Sequence, residues 1–177
     1  ETDRLADAIL AYEMNGEPLS PEHGFPVRLV APGRYGYKMP KWLQRIQLTD
    51  SPVNGFWEGR GWPASGAAQT VSGIISPHHL ETISGEILFS GFAYAGEHTI
   101  TRIELSIDDA PWVPVAFTAG APGSWVTWSI RWMPPEPGDY LVKVRAGDSS
   151  GFVQPDDTPA RSSGSNSAQR IIVRVTA

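Results

Sequence analysis

Beyond Gly66, apolar and polar residues alternate in short runs separated by Gly, Pro and Asp. That is the period of β-strands with one buried face. The runs are Ser84 to Tyr94, Thr99 to Ile107, Trp112 to Phe117, Trp125 to Trp132, Tyr140 to Ala146 and Arg170 to Thr176. Ile103, Leu105 and Ile107 share one strand face, as do Val126, Trp128, Ile130 and Trp132, and again Tyr140, Val142 and Val144. With Thr70 to Ile75 as a first strand, about six or seven strands fall within roughly 110 residues, the count of an immunoglobulin-like sandwich. Ser162 to Ala168, rich in Ser, Gly and Asn, reads as a flexible loop before the last strand.

Before Gly66 the pattern is different. Leu5, Ala8, Ile9 and Tyr12 lie on one helical face, and Asn15-Gly16 supplies a C-terminal stop, so the spacing predicts one short helix. After it come the strand-like Val27 to Val30, the turn-rich Ala31 to Gly36 and a second apolar run, Trp42 to Leu48. Gly55 to Gly66 reads as the connection to the alternating region. The expected organisation is therefore a loop-rich α+β segment over residues 1–65 and a mainly β domain over residues 66–177. A segment of about 65 residues is marginal for a core of its own.

Composition narrows the classes. The chain has 177 residues with 18 Gly and 16 Pro, which rules out a helical bundle, and 18 aromatic residues, which argue against wholesale disorder. No stretch approaches the length of a membrane-spanning helix. A net charge of −5 gives no general attraction to polyphosphate, so nucleic acid is not an expected partner. The absence of cysteine excludes disulfides, thiolate metal sites and Cys nucleophiles.

The segment from His23 to Thr49 holds Arg28, Arg34, Lys38, Lys41 and Arg45 and no Asp or Glu. Arg offers a planar fork for phosphate oxygens and Lys a mobile point charge, so this stretch reads either as an anion site, with His23 as a further donor, or as a solvated basic edge. His78-His79 reads as two surface imidazoles, because neighbouring residues in an extended segment point apart. Asp108-Asp109 and Asp156-Asp157 read as turn chemistry. Trp112, Trp125, Trp128 and Trp132 read as core or interface before a sugar platform. There is no Gly-rich phosphate loop and no G-x-S-x-G.

The run His23-Gly24-Phe25-Pro26-Val27-Arg28-Leu29-Val30-Ala31-Pro32-Gly33, followed by Gly36-Tyr37-Lys38-Met39-Pro40-Lys41-Trp42-Leu43, resembles the cofactor-binding signature of the sulfite oxidase family of molybdenum enzymes. Gly55-Phe56-Trp57-Glu58-Gly59-Arg60-Gly61-Trp62 resembles that family's junction between its molybdopterin domain and its C-terminal dimerisation domain. Gly85 to Tyr94, Ile103 to Asp108, Trp128 to Trp132 and Gly151 to Asp156 resemble blocks of the latter. The resemblance implies an immunoglobulin-like dimerisation domain preceded by a remnant of the molybdopterin domain. It implies oxygen-atom transfer to or from a small oxyanion such as sulfite, with molybdopterin as the cofactor.

Carried over residue by residue, His23 and Arg28 match the histidine and arginine of H-G-F-P-x-R that hold the pterin. Lys41 matches the lysine of the K-W pair, and Lys38 keeps a charge where relatives often have Arg. No role is carried over to Met39 or Pro40, where relatives differ. The family's molybdenum ligand is a cysteine that precedes this signature, and the sequence has none. The expectation is thus a C-terminal piece of a longer enzyme, inactive alone, whose partners are the rest of the molybdopterin domain and a second copy. A free-standing adhesion or carbohydrate-binding module is the alternative.

Overall fold

The computed structural model describes residues 7–156 and 166–177. Two compact units divide the chain, Glu1–Ala68 and Gln69–Ala177.

Among the described residues, the second unit has eight strands: β5 (Val71–Ser76), β6 (Thr82–Ser84), β7 (Ile87–Tyr94), β8 (Ile100–Ile107), β9 (Val113–Pro114), β10 (Val126–Trp132), β11 (Gly138–Asp148) and β12 (Gln169–Thr176). They form a three-stranded sheet in the order β10-β7-β5 and a five-stranded sheet in the order β6-β12-β11-β8-β9. All pairs are antiparallel except β12–β6. This is an immunoglobulin-like layout of two sheets over one core. The alternating faces read from the sequence point inward. Ile103, Leu105, Val126, Trp128, Val142 and Val144 are buried together with Ile87, Phe89 and Val173, and Ile130, Trp132 and Tyr140 pack against them half-buried.

Local chemistry explains where the expected runs break. Gly85, at φ +77°, splits the run from Ser84 to Tyr94 into the end of β6 and β7. The run from Trp112 to Phe117 pairs with β8 at Val113–Pro114, with Val115 N donating to Ile103 O at 2.8 Å, and then crosses to the other sheet, where Phe117 bridges Trp128. Gly91 is obligatory in β7: a β-carbon there would lie 2.0 Å from the Gly73 carbonyl and 2.5 Å from the Trp128 ring. Asp108 and Asp109 both take positive φ in the turn after β8, and the Asp108 carboxylate accepts from Leu141 N at 2.8 Å, so this pair is turn chemistry as expected. Asp157 and residues 162–165 of the expected loop lie outside the described residues.

The first unit corrects one expectation. In its described part, the helix expected over Leu5 to Tyr12 is instead β1 (Ile9–Ala11), paired antiparallel with β4 (Arg28–Val30). Asn15-Gly16 does not stop a helix. It turns a hairpin between β2 (Glu13–Met14) and β3 (Glu17–Pro18), with φ of +57° and +82° at its two positions. Asn-Gly is the preferred pair for such a turn, and tertiary pairing with β4 overrode a short helical spacing. Helical structure among the described residues is limited to 3-10 turns at Pro21–His23, Gly36–Lys38 and Glu58–Arg60. The apolar run from Trp42 to Leu48 forms no regular element and leaves Trp42, Ile46 and Leu48 exposed. Among the described residues, no helix is long and apolar enough to cross a membrane.

Candidate functional site

Residues Ser20 to Gly24 form a tight 3-10 turn. Pro21 opens it, His23, Gly24 and Phe25 all donate their N–H to the Ser20 carbonyl, and Gly24 closes it at φ +110°. The Ser20 hydroxyl lies 2.8 Å from His23 Nδ1, which orients the ring. β4 leaves this turn, and the chain returns beside it at Pro40 to Leu43, with Leu29 N donating to Pro40 O and Leu43 N to Val27 O. The two passes meet over Gly24, where an added β-carbon would lie 3.1 Å from Arg28 Cβ and 3.0 Å from Lys41 Cβ. Only a residue without a side chain allows both to sit there.

Three of the four candidate cofactor contacts are thereby brought together. Arg28 donates from Nη1 to the His23 carbonyl at 3.3 Å, and Lys41 Nζ donates to the Glu22 carbonyl at 2.6 Å. His23 and Lys41 are exposed and Arg28 is half-buried. The Glu22 carboxyl is held below its ordinary range, first by its own backbone N–H, then by the Ser20 hydroxyl, with His23 and Lys41 adding attraction. Phe25 and Trp42, both more than half exposed, rim the cluster with aromatic surface.

Lys38 stands apart. It ends the 3-10 turn Gly36–Lys38 and is ion-paired with Glu58. The Lys38 ammonium holds the Glu58 carboxyl below its ordinary range. With Leu29, Arg34, Asp50 and Glu58, Lys38 lines a groove of about 640 Å³ that His23, Arg28 and Lys41 do not reach. Successive residues of β4 point to opposite faces, so Leu29 faces this groove and Arg28 faces away from it. Beside it, Tyr35, Tyr37, Trp57 and Trp62 form a connected aromatic cluster, with ring centroids 5.3 to 6.2 Å apart. Burial, then the Glu58 charge, raises the Tyr37 hydroxyl above its ordinary value, and Tyr37 donates to the Pro63 carbonyl at 2.6 Å.

Sequence reasoning missed Glu58 as the partner of Lys38. Its signal was present: five cations in an acid-free run leave the first acids downstream, Asp50 and Glu58, as the nearest counter-charges. His78 and His79 are exposed, as expected. His79 Nδ1 accepts from Ile172 N at 3.1 Å, and no group of side chains suited to a metal occurs among the described residues. Of the four tryptophans, Trp128 is buried, Trp132 packs on the core, Trp112 is covered by Lys143 and Arg145, and Trp125 is exposed against Tyr94. They do not make a common platform.

The family model for the oxidoreductase molybdopterin binding domain matches residues 2–57. Rat mitochondrial sulfite oxidase is 32% identical over 87% of this chain, and chicken sulfite oxidase is 33% identical over 85% of it. Among solved structures, the sulfane dehydrogenase SoxCD from Paracoccus pantotrophus superposes on 98% of this chain with a TM-score of 0.77 and 28% identity. The chain belongs to the sulfite oxidase family of molybdopterin oxidoreductases. It spans about a third of the length of the curated sulfite oxidases, 33% for the rat protein, and half of the sulfane dehydrogenase chain. A soybean inducible nitrate reductase, 31% identical over 87% of this chain, belongs among its relatives.

The fit of this family's pterin cofactor can be tested on one atom. Arg28 Nε is buried and makes no hydrogen bond. An unsatisfied buried guanidinium N–H is costly, by about 1–3 kcal/mol, and native proteins rarely leave one without a ligand or water to receive it. Two cations, a histidine and two aromatic rims around that donor suit a flat, anionic, hydrogen-bonding heterocycle. The residues fit the group. They offer no thiolate for molybdenum, since the chain has no cysteine.

Proposed function

We propose that this chain forms one side of the pterin cradle of a molybdenum oxidoreductase that moves an oxygen atom to or from a small oxyanion such as sulfite. The observation that carries the reading is Arg28 Nε, a buried donor without a partner, beside Lys41 and over Gly24. When bound, the cofactor supplies the oxygen-transfer and redox chemistry. The chain's own residues bind and orient it: Arg28 and Lys41 provide charge-assisted donors, and His23, its ring oriented by Ser20, adds a further polar contact. Lys38 acts from the neighbouring groove, its charge balanced by Glu58. The relatives named sulfite oxidase, nitrate reductase and sulfane dehydrogenase support a small oxyanion or sulfur compound as the substrate class.

In this reading residues 1–65 are the end of the molybdopterin domain and residues 66–177 the dimerisation domain of a longer enzyme. The rest of the molybdopterin domain brings the molybdenum-ligating thiolate and covers the apolar side chains of the first unit. The sandwich associates with a second copy, supported by exposed Trp125, Met133, Val113 and Leu88. Such an interface should bury more than about 1,000 Å². A free-standing adhesion or carbohydrate-binding module is not favoured, because it leaves the cationic turn and the unpaired Arg28 donor unexplained.

The test is cofactor retention in the full-length protein that carries this sequence. Arg28→Ala and Lys41→Ala should each lower pterin and molybdenum content, with affinity reduced about ten- to a hundredfold. His78→Ala should leave it unchanged. Equal cofactor content in all variants overturns the reading.

A further inference from the structure

Lys41 and Trp42 together face the single residue Arg28 across an irregular pairing. Leu29 N donates to Pro40 O at 3.1 Å and Leu43 N to Val27 O at 2.9 Å, so two steps along one strand span three along the other. Regular antiparallel pairing would give the Val27 carbonyl to Trp42 N. Trp42 N turns instead toward Gly24 O, at 3.4 Å, and the extra residue makes a bulge. Bulges re-aim side chains, and this one sets the β-carbons of Lys41 and Arg28 over the same glycine.

The residue that absorbs the bulge is an unusual choice. Trp42 has φ +54°, a left-handed conformation suited to Gly or Asn and an outlier for a bulky side chain. Such strain persists where the surroundings over-determine it. With 57% of its surface exposed, the indole fills no core that would hold it. Two contacts hold it: Nε1–H donates to the Pro21 carbonyl at 2.9 Å, and Lys41 Nζ lies over the ring, 6.0 Å from its centroid. Pro21 opens the same 3-10 turn whose Glu22 carbonyl receives Lys41 Nζ. Two consecutive side chains therefore grip one turn, one through a neutral N–H and one through an ammonium.

We propose that Trp42 is the positioning residue of the Arg28–Lys41 pair. Its indole, hooked on Pro21, keeps the bulge in register. Without the hook the pairing relaxes toward regular register, and a slip of one residue turns Lys41 to the opposite face. The proposal rests on the pterin-cradle reading for its functional meaning, and on this chain alone for its geometry.

Two variants separate the components. Trp42→Phe keeps a ring and removes the N–H. Trp42→Gly removes the indole and relieves the backbone strain, so it retains the fold if the first variant loses it. In the 177-residue chain, trace acetylation with acetic anhydride followed by peptide mass mapping reads the reactivity of Lys41 against Lys38 and Lys143 in the same digest. Lys41 should react about fivefold faster in Trp42→Phe, the factor one neutral hydrogen bond carries, and gain less in Trp42→Gly, whose backbone takes the left-handed bulge without strain, with both reference lysines unchanged. Unchanged Lys41 reactivity in Trp42→Phe, or a gain in Trp42→Gly as large as in Trp42→Phe, overturns the positioning role. In the full-length protein, pterin content should fall in Trp42→Phe and fall less in Trp42→Gly. If Lys41 reactivity rises while pterin content stays at the wild-type level, positioning stands and the cradle reading is what fails.

Discussion

The two units treat apolar side chains in opposite ways. In the sandwich, Phe89, Val142, Val144, Ala146 and Val173 have no exposed surface at all, and the core is continuous between the sheets. In the first unit only Leu19 and Ala31 are buried apolar residues among those described, while Ile9, Leu10, Tyr12, Phe25, Trp42, Ile46, Leu48, Val53 and Phe56 are at least half exposed. One sequence thus contains a domain stabilised by its own core and a segment held by turns, short pairings and polar contacts. The difference places stability in the sandwich and leaves apolar side chains of the first unit at the surface, available for contact.

The largest expected effect breaks this comparison most directly. Phe89→Ala should cost about 3–5 kcal/mol, since it empties a fully enclosed site, while Leu48→Ala should change stability by less than about 0.5 kcal/mol. Denaturant unfolding of the two variants gives the ratio. Comparable losses would mean that Leu48 is covered and that the contrast between units is wrong.

The sandwich also has a polar clamp that sharpens the picture. Lys143 lies on the outer face of the five-stranded sheet and is nonetheless buried, held by Asp109 at 2.6 Å and Asp156 at 2.9 Å. Bonds to Asp109, then to Asp156, raise the Lys143 ammonium above its ordinary value. A raised folded-state value means the contribution is complete below the unfolded value of 10.5 and is lost as pH rises through the folded one. Lys143→Met should therefore destabilise by about 1–3 kcal/mol at neutral pH, and the gap to wild type should narrow above about pH 10.5. Melting temperatures at neutral and alkaline pH measure it. A gap that widens with pH would contradict the assignment.

The first unit has a smaller counterpart. Lys38 lowers the Glu58 carboxyl, so its contribution is present above the ordinary value of 4.5 and is lost as pH falls through the folded one. Glu58→Gln should cost about 1 kcal/mol or less at neutral pH, and nothing once wild-type Glu58 is protonated. Proteolytic susceptibility of the segment from residue 44 to residue 57 reports this locally, with faster cleavage of the variant at neutral pH and equal rates in acid. Equal rates at neutral pH would assign the fold of that segment to other contacts.

How far the sequence could be read follows the same division. The strand faces of β8, β10 and β11 were legible because a buried face imposes a period of two on the residues that fill it. In the first unit no buried face imposed a period, so Leu5 to Tyr12 matched a helix by spacing alone, and Ile9–Ala11 within it is a strand paired with β4. Asn15-Gly16 suits a helix stop, yet it is also the strongest hairpin signal. At the candidate site, the cations were visible as a run without acids. Their partition was not: the pairing of Lys38 with Glu58, and the bulge that sets Lys41 beside Arg28, depend on contacts between segments distant in sequence.

The central claim is that Arg28, with Lys41 beside it, donates to the pterin cofactor. A crystal structure of the full-length protein with its cofactor bound tests it most directly. The account predicts a pterin or phosphate acceptor within about 3.2 Å of Arg28 Nε, on the side of Gly24 where Lys41 also points. A cofactor seated elsewhere, with Arg28 Nε bonded to protein atoms, would contradict it.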